Sequence, residues 1–228
     1  MGKRKYDNDG CPVAHGLDLI GERWALLVVR ELLLGPKRFT DLRAALPAAS
    51  PDMVSQRLRE LASSGIVQRR RLPAPAASWV YELTEWGAEL EPVVLSLARW
   101  SSRSPNADTD APIGVDSVIL SLRALFDPVA ARGFSTRIAL SLNGNWFHWS
   151  IADGELTVRR AQPDETQDAD AVLQTDPDTF SALLTGTLTL AKAAPALTID
   201  GDRTSVEHAL QLFPLPPQAP GNQPNPDL

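Results

Sequence analysis

The chain has 228 residues, of which 43% are hydrophobic and 22% charged, a composition typical of a globular protein with an ordinary core. Its apolar runs are too short for a membrane span, and no apolar segment follows the basic start Met1–Tyr6 to make a secretory signal. The single cysteine, Cys11, excludes an intrachain disulfide, and we expect a cytoplasmic protein with no membrane partner.

The net charge of −6 is distributed unevenly. Residues 1–104, the front half, carry 15 Lys and Arg against 12 Asp and Glu, whereas the remaining residues are strongly acidic. This pattern favours contact of the front half alone with a polyanion, although chance could also produce it.

The front half begins with helical patterns. Apolar residues at Val13, Leu17 and Ile20 predict a first helix, and the stretch 24–34 predicts a buried second helix that ends at Gly35-Pro36. Phe39–Leu46 predicts a short third helix.

A capped fourth helix is predicted from Ser50 to Gly65. Ser50 suits the N-cap, Pro51 the first turn, and Gly65 the termination. Val54, Leu58 and Leu61 form one buried stripe. The opposite face carries side chains able to read base edges: Asp52, Ser55, Gln56 and Arg59.

Two strands are predicted next, over residues 66–72 and 79–83, joined by a proline-containing turn. Strand alternation places Arg69 and Arg71 on one side, where they would hold phosphates, and Arg70 on the other. The order of helices and hairpin is that of a winged helix-turn-helix. A solvated charged helix with a charged edge strand is the alternative interpretation.

These residues resemble the HxlR-type, MarR-like winged helix-turn-helix regulators over about residues 9–104. The matching motifs are Cys11-Pro-Val-Ala, Leu19-Ile-Gly-Glu-Arg-Trp24, residues 30–43, residues 55–61, Gly65-Ile-Val and residues 81–87. The resemblance implies a homodimeric bacterial regulator, not an enzyme, whose recognition helices read an inverted repeat in double-stranded DNA. It also implies a dimer interface formed by the helix Thr84–Arg103 together with N-terminal helices. The DNA-contacting set predicted in all is Lys37, Arg38, Ser50, Asp52, Ser55, Gln56, Arg57, Arg59, Arg69 and Arg71.

Residues 105–113 read as a polar linker, and Pro214–Leu228 as a proline-rich disordered tail. Between them, residues 114–213 resemble the sterol-carrier-protein-2 fold. The predicted elements are two strands around Asp153-Gly154, a strand and helix in 169–186, a strand in 197–202 and a last helix, 206–213. We therefore predict an α+β protein with a front winged helix-turn-helix domain, residues 1–104, and a mixed α/β rear domain. The resemblance implies an apolar ligand cavity in the rear domain.

Alternation puts Phe147, Trp149 and Ile151 on one face of their strand, with Trp146 and His148 on the other. We take Phe147, Trp149, Ile151, Phe180 and Leu184 as candidates to bind a small apolar ligand. Plain core packing is the alternative for the strand residues.

No histidine or cysteine spacing matches a metal site, and no nucleotide-binding or nucleophile motif is present, so we expect no cofactor. The resemblance implies that a cysteine at the position of Cys11 can act as a redox or electrophile sensor. The alternative for Cys11 is a small buried hydrophobe. We expect a repressor whose rear domain senses a ligand, or one switched at Cys11 with the rear domain serving dimerisation or protein docking.

Overall fold

The structure is a computed structural model that describes Tyr6, residues 9–106 and residues 111–220. The chain divides into two compact units, a front unit of residues 1–94 and a rear unit of residues 95–228. The division falls inside a helix, earlier than the boundary predicted at residue 104. Among the helices of the described residues, none is long and apolar enough to cross a membrane.

The front unit contains helices and one hairpin, as predicted. In chain order these are α1 (Pro12–Ile20), α2 (Ala25–Leu32), α3 (Phe39–Ala45), α4 (Pro51–Ser63), β1 (Val67–Arg71), β2 (Trp79–Leu83) and α5 (Glu85–Ala88). The two strands are antiparallel and pair Val67 with Leu83 and Arg71 with Trp79. The core is formed mainly by α2, α3, α4 and the start of β1, with Leu90 and Val94 packed against it.

The long helix predicted from Thr84 to Arg103 is wrong in one respect, because the structure has two helices there. α5 ends at Ala88, and α6 (Glu91–Ser101) follows after a short break. Pro92 lies at the second position of α6 and has no N–H to donate to the preceding turn, so an uninterrupted helix would lose a hydrogen bond there.

Gly87 explains why α5 can lie close to the start of β1. A Cβ atom at this position would come within 2.0 Å of the Ile66 carbonyl oxygen. Thr84 caps α5, since its hydroxyl accepts from the Gly87 N–H at 3.0 Å, and the same hydroxyl donates to the Gly65 carbonyl at 2.7 Å. The end of α4 and the start of α5 are therefore joined directly.

The rear unit is a five-stranded mixed sheet with helices on one face. Its elements are α7 (Val115–Leu125), β3 (Thr136–Leu142), β4 (Asn145–Ala152), β5 (Glu155–Arg160), β6 (Ala171–Thr175), α8 (Pro177–Leu184), α9 (Leu190–Ala193), β7 (Thr198–Gly201) and α10 (Arg203–Leu210). The strand order is β5-β4-β3-β6-β7, in which only the pair β3–β6 is parallel. The predicted α+β class is confirmed for both units.

The helix-covered face of this sheet forms the rear core. Phe147, Trp149 and Ile151 of β4 point into it, and the Trp149 ring packs edge-on against Phe180 of α8 at 6.0 Å between centroids. At the rim, Asp116 of α7 is buried and forms an ion pair with Arg160 of β5. The opposite face carries the half-buried Trp146 and His148, as alternation predicted.

The start of the predicted tail is hydrogen-bonded to Arg103, which follows α6. The Ala219 N–H donates to the Arg103 carbonyl at 2.8 Å, and the Arg103 Nε donates to the Pro217 carbonyl at 2.9 Å. One backbone and one side-chain hydrogen bond therefore join Ala219 and Pro217 to Arg103, and disorder from Pro214 stays a prediction. Residues 221–228 of that tail, and residues 107–110 of the predicted linker, lie outside the described residues.

Candidate nucleic-acid interface

Helix α4 is fixed by its cap and by one apolar stripe. The Ser50 hydroxyl accepts a hydrogen bond from the Met53 N–H at 3.3 Å, so this helix start is capped as the sequence predicts. Val54, Leu58 and Leu61 are buried in the front core. The stripe sets which side of α4 faces outward, and the cap positions the Ser50 hydroxyl, whose O–H is still able to donate.

The outward face of α4 carries three exposed polar side chains. Asp52, Gln56 and Arg59 are exposed, and Ser55 between them is half-buried. Gln56 Nε2 donates to Glu60 at 3.0 Å, and Arg59 Nε donates to the Ser55 carbonyl at 3.3 Å. These are exposed, local hydrogen bonds, which a base edge or phosphate could replace at small cost.

Arg57 does not belong to this face, and the structure corrects its prediction as a DNA contact. The residue is 4% exposed, and its guanidinium pairs with Glu22 at 3.5 Å and with Glu60 of its own helix. The reason is helical geometry, since Arg57 lies three residues after Val54 and one before Leu58, within the buried stripe.

Lys37 and Arg38 are adjacent in sequence, but Lys37 is half-buried whereas Arg38 is exposed to solvent. The Lys37 ammonium pairs with the buried Glu31, which also accepts from Arg30. Its backbone pairs with Tyr81 in both directions, which adds a third short strand segment to the hairpin. Lys37 is therefore corrected to a structural role. Arg38 is exposed at the start of α3, with its Nε donating to the Ser78 hydroxyl at 3.2 Å.

Within the run of three arginines, Arg70 is held by a carboxylate. Its Nε and Nη2 donate to the two oxygens of Glu82 at 2.8 and 2.7 Å, and Gln68 donates to the same carboxylate at 3.0 Å. The hydrogen bonds from Arg70 lower the pKa of Glu82. This bidentate pair keeps Arg70 on the hairpin.

Arg69 and Arg71 lie on the other side of β1, as predicted. The Arg69 guanidinium stacks over the Trp79 ring, 4.6 Å from its centroid, and lies 5.9 Å from the Tyr81 ring. Arg71 donates to the Ala77 carbonyl at 3.3 Å. Both are exposed, and a stacked guanidinium keeps edge N–H groups available to an anion.

Trp79, which is 51% exposed, was missed as part of this surface. Its position directly opposite Arg71 in the hairpin is the signal that could have indicated it. The exposed residues of α4, of the start of α3 and of the hairpin include Arg38, Asp52, Gln56, Arg59, Arg69, Arg71 and Trp79; we call this set the polar-basic surface.

The candidate ligand residues of the rear unit are mostly interior. Phe147, Trp149 and Phe180 are 0% exposed and Ile151 is 1% exposed, and the three aromatic residues belong to the packed core rather than to a cavity lining. Core packing, the alternative interpretation, therefore applies to these four, because the sheet needs them against its helices. Leu184 does line a groove, with the ends of α8 and α10 and with Phe213.

Cys11 is exposed and precedes α1 as its N-cap residue, so the alternative of a small buried hydrophobe is wrong. Its N–H donates to the Asp9 carboxylate at 2.9 Å, and its thiol makes no capping hydrogen bond. A cavity of about 300 Å³ begins at the next residue, Pro12, and is lined by α1, Trp86 of α5 and Leu90 among others. An exposed thiol beside a cavity is accessible to small oxidants and electrophiles.

Comparison with known proteins gives two family matches. The HxlR-like helix-turn-helix family matches residues 19–109, and the sterol carrier protein domain matches residues 128–221. Together they cover most of the predicted front domain and most of the rear one.

Individual relatives match the front part of the chain. The uncharacterised HTH-type transcriptional regulator YybR of Bacillus subtilis is 38% identical over 99 residues, which are 43% of this chain and 79% of YybR. The HTH-type transcriptional regulator YodB of the same organism is 35% identical over 97 residues, 42% of this chain and 87% of YodB.

Among solved structures, the oxidised redox regulator HypR matches with a TM-score of 0.40 and 35% identity, over 42% of this chain and all of HypR. The polar face of α4, the paired strands and the sequence matches coincide on the same residues. The chain belongs to the HxlR-like family of helix-turn-helix transcriptional regulators and carries a sterol carrier protein domain in its rear half.

Proposed function

We propose that this chain is a cytoplasmic, sequence-specific DNA-binding regulator that acts as a homodimeric repressor on an inverted repeat. The observation that carries the proposal is the polar-basic surface. α4 turns its apolar stripe inward and offers Asp52, Gln56 and Arg59 outward. A capped helix with this polarity suits the major groove, where such side chains distinguish base pairs.

The neighbouring cations suit phosphate contact. Among the described residues, Arg59, Arg69 and Arg71 have no carboxylate partner, in contrast to Arg57 and Arg70. Contacts of these guanidinium groups with phosphates would position α4 without reading sequence. Asp52 adds selectivity, since a carboxylate is tolerated in the groove only where it accepts from a base such as cytosine.

Two copies would associate through α6. Val93, Leu97 and Trp100 recur at helical spacing along this helix and are 47%, 45% and 71% exposed. An apolar row of this kind in water favours burial against a second copy. A twofold dimer would then present two α4 helices to half-sites about one helical turn apart, roughly 34–36 Å.

Affinity selection of random-sequence duplexes with the full chain, at near-physiological salt, tests the proposal. We expect an enriched inverted repeat that the dimer binds, and that reduces transcription in vitro when placed across a promoter. Enrichment of no sequence would contradict specific recognition, and enrichment of a single half-site would contradict the dimeric arrangement.

For the rear unit, we propose sensing of a small apolar ligand. The support is the sterol carrier protein match together with a groove of about 610 Å³, a volume within the usual range of small-molecule sites. A ligand that binds one conformer better would shift the dimer between DNA-binding and non-binding states. Operator affinity that stays the same across an apolar ligand library would favour a docking or dimerisation role instead.

A thiol switch is the second candidate, favoured by the exposure of Cys11 beside the α1 cavity. Peroxide would convert the thiol to a sulfenic acid with release of water. Condensation with Cys11 of a second copy would then form a disulfide and a second water, reversible by a thiol reductant. Oxidant-dependent loss of operator binding, absent in Cys11→Ser, is the expected result; equal loss in that variant would contradict the switch.

A further inference from the structure

The groove on the rear unit lies where α8 and α10 end and α9 begins. Its deepest residues are apolar: Leu183, Leu184, Leu210 and Phe213 are each at most 9% exposed. Phe213 is also in ring contact with Trp149, at 5.8 Å between centroids, so the groove lies directly above the rear core. The apolar body of a ligand could be buried here without disturbing the sheet.

The charge that the lining side chains bring to the groove is negative. Of its lining residues, which all belong to the described part of the chain, Glu207 alone is ionisable. The Glu207 carboxylate is at the rim, with its side chain 48% exposed, and its nearest cation, Arg203, holds one oxygen at 3.0 Å. A second anion brought to this rim would meet the Glu207 carboxylate, and no Lys, Arg or His is among the lining residues.

The C-terminal ends of α8 and α10 add partial negative charge at the groove. α8 and α10 each have eight residues and finish at the groove, with Thr185 and Gly186 after one and Gln211 after the other among the lining residues. The C-terminal end of a helix carries partial negative charge. The opposing N-terminal end of α9 belongs to a helix of only four residues, whose Lys192 N–H donates to the Thr189 hydroxyl at 3.4 Å, so it adds little positive charge.

We propose that this groove binds a cationic amphiphile, a protonated amine on an aliphatic or aromatic body, with its ammonium group beside Glu207 and the two helix ends. The inference rests on the proposed role of the rear unit as a ligand sensor and names the chemical class that it senses. A carboxylate of the same shape is disfavoured at this rim. A neutral alcohol would bind through the apolar floor alone.

Isothermal titration of the full chain with three ligands of one chain length, decylammonium, 1-decanol and decanoate, each below its micelle concentration, tests the class. We expect decylammonium to bind most tightly and decanoate least. Glu207→Gln should weaken decylammonium binding about threefold, as for an exposed ion pair, and leave 1-decanol unchanged. The matched control is Glu155→Gln, which removes an exposed carboxylate from β5 and should change neither.

A second variant tests the location. Ala191 is an exposed lining residue, so Ala191→Trp would fill the groove from its rim without altering the core. We expect it to abolish binding of both decylammonium and 1-decanol, and unchanged binding would overturn the proposed site. Decanoate binding at least as tightly as decylammonium, or equal effects of Glu207→Gln and Glu155→Gln, would overturn the cationic class while leaving apolar sensing intact. Binding of none of the three would count against apolar ligand sensing itself.

Discussion

Arg57 of α4 and Glu22 of the turn between α1 and α2 form an ion pair at 3.5 Å, with the arginine side chain only 5% exposed. The pair joins the proposed recognition helix to the segment that follows α1. In that same turn, Trp24 has a left-handed backbone with φ of 76°, a conformation unfavourable for a bulky side chain. The orientation of α4 therefore depends on contacts with a strained turn as well as on its apolar stripe.

The first prediction separates stability from DNA contact. Arg57→Met should lower the free energy of unfolding by about 1–2 kcal/mol, less than for a fully buried pair, because Glu22 and Glu60 are partly exposed and remain hydrated. Arg59→Met, a matched change on the exposed face, should alter stability by no more than about 0.5 kcal/mol. Chemical denaturation of both variants checks this.

In operator-binding titrations the larger effect should belong to the other variant. Arg59→Met should lose affinity for the operator, and Arg57→Met should largely retain it as long as the protein is folded. A loss of one charge from the salt dependence of binding in Arg57→Met would show that the buried arginine reaches a phosphate.

The second prediction concerns the three arginines of β1. Arg69→Gln and Arg71→Gln should each weaken binding to all DNA sequences and reduce the slope of log affinity against log salt by about 1. Arg70→Gln is the control on the same strand, because Glu82 holds both Nε and Nη2 of Arg70. Fluorescence anisotropy across a salt series measures the slopes, and an equal effect of all three substitutions would refute this assignment.

The third prediction concerns assembly. The double substitution Leu97→Glu and Trp100→Glu places two charges in the exposed row of α6 and should weaken dimerisation by about tenfold or more. Light scattering should then give the mass of one chain, 24.7 kDa. Val129→Glu is the control, since it charges a side chain that is 65% exposed outside this helix. A dimer that persists in the double variant would place the interface elsewhere.

The fourth prediction concerns pH. Burial, followed by the charges of Arg159 and Arg137, lowers the pKa of His148 below the ordinary 6.5. The His148 imidazole binds a proton more readily in the unfolded chain than in the folded one, so protonation favours unfolding. The stability that neutral His148 contributes is therefore complete above pH 6.5 and declines as the pH falls from there to the lowered pKa. His148→Asn should flatten this part of the stability profile as the pH falls below about 7.

Local patterns predicted the front unit well, because its elements carry strong start and stop residues. Ser50-Pro51 and the stripe of Val54, Leu58 and Leu61 fixed α4 to within two residues. The same spacing should also have placed Arg57 inward, since 54, 57, 58 and 61 lie on one side of a helix. The pairing of Arg70 with Glu82 depends on strand register, which the sequence alone does not determine.

The central strand of the rear sheet, β3, was missed for a physical reason. From Ile138 to Leu142 every residue is buried, so the alternation that reveals a half-exposed strand is absent. α7 was missed too, although Val115, Val118, Ile119 and Leu122 have helical spacing. For the ligand site, alternation correctly identified an inward face but could not distinguish a packed core from a groove.

The two outer strands of the rear sheet limit how copies of this protein can aggregate. β5 carries Glu155, Arg159 and Arg160, and β7 has only four residues, with Asp200 and Gly201 at its end. Charged or very short edge strands discourage pairing with a strand of another chain. The rear unit is therefore protected against uncontrolled sheet extension, and we expect it to tolerate the high local concentrations reached when many regulator copies occupy neighbouring DNA sites.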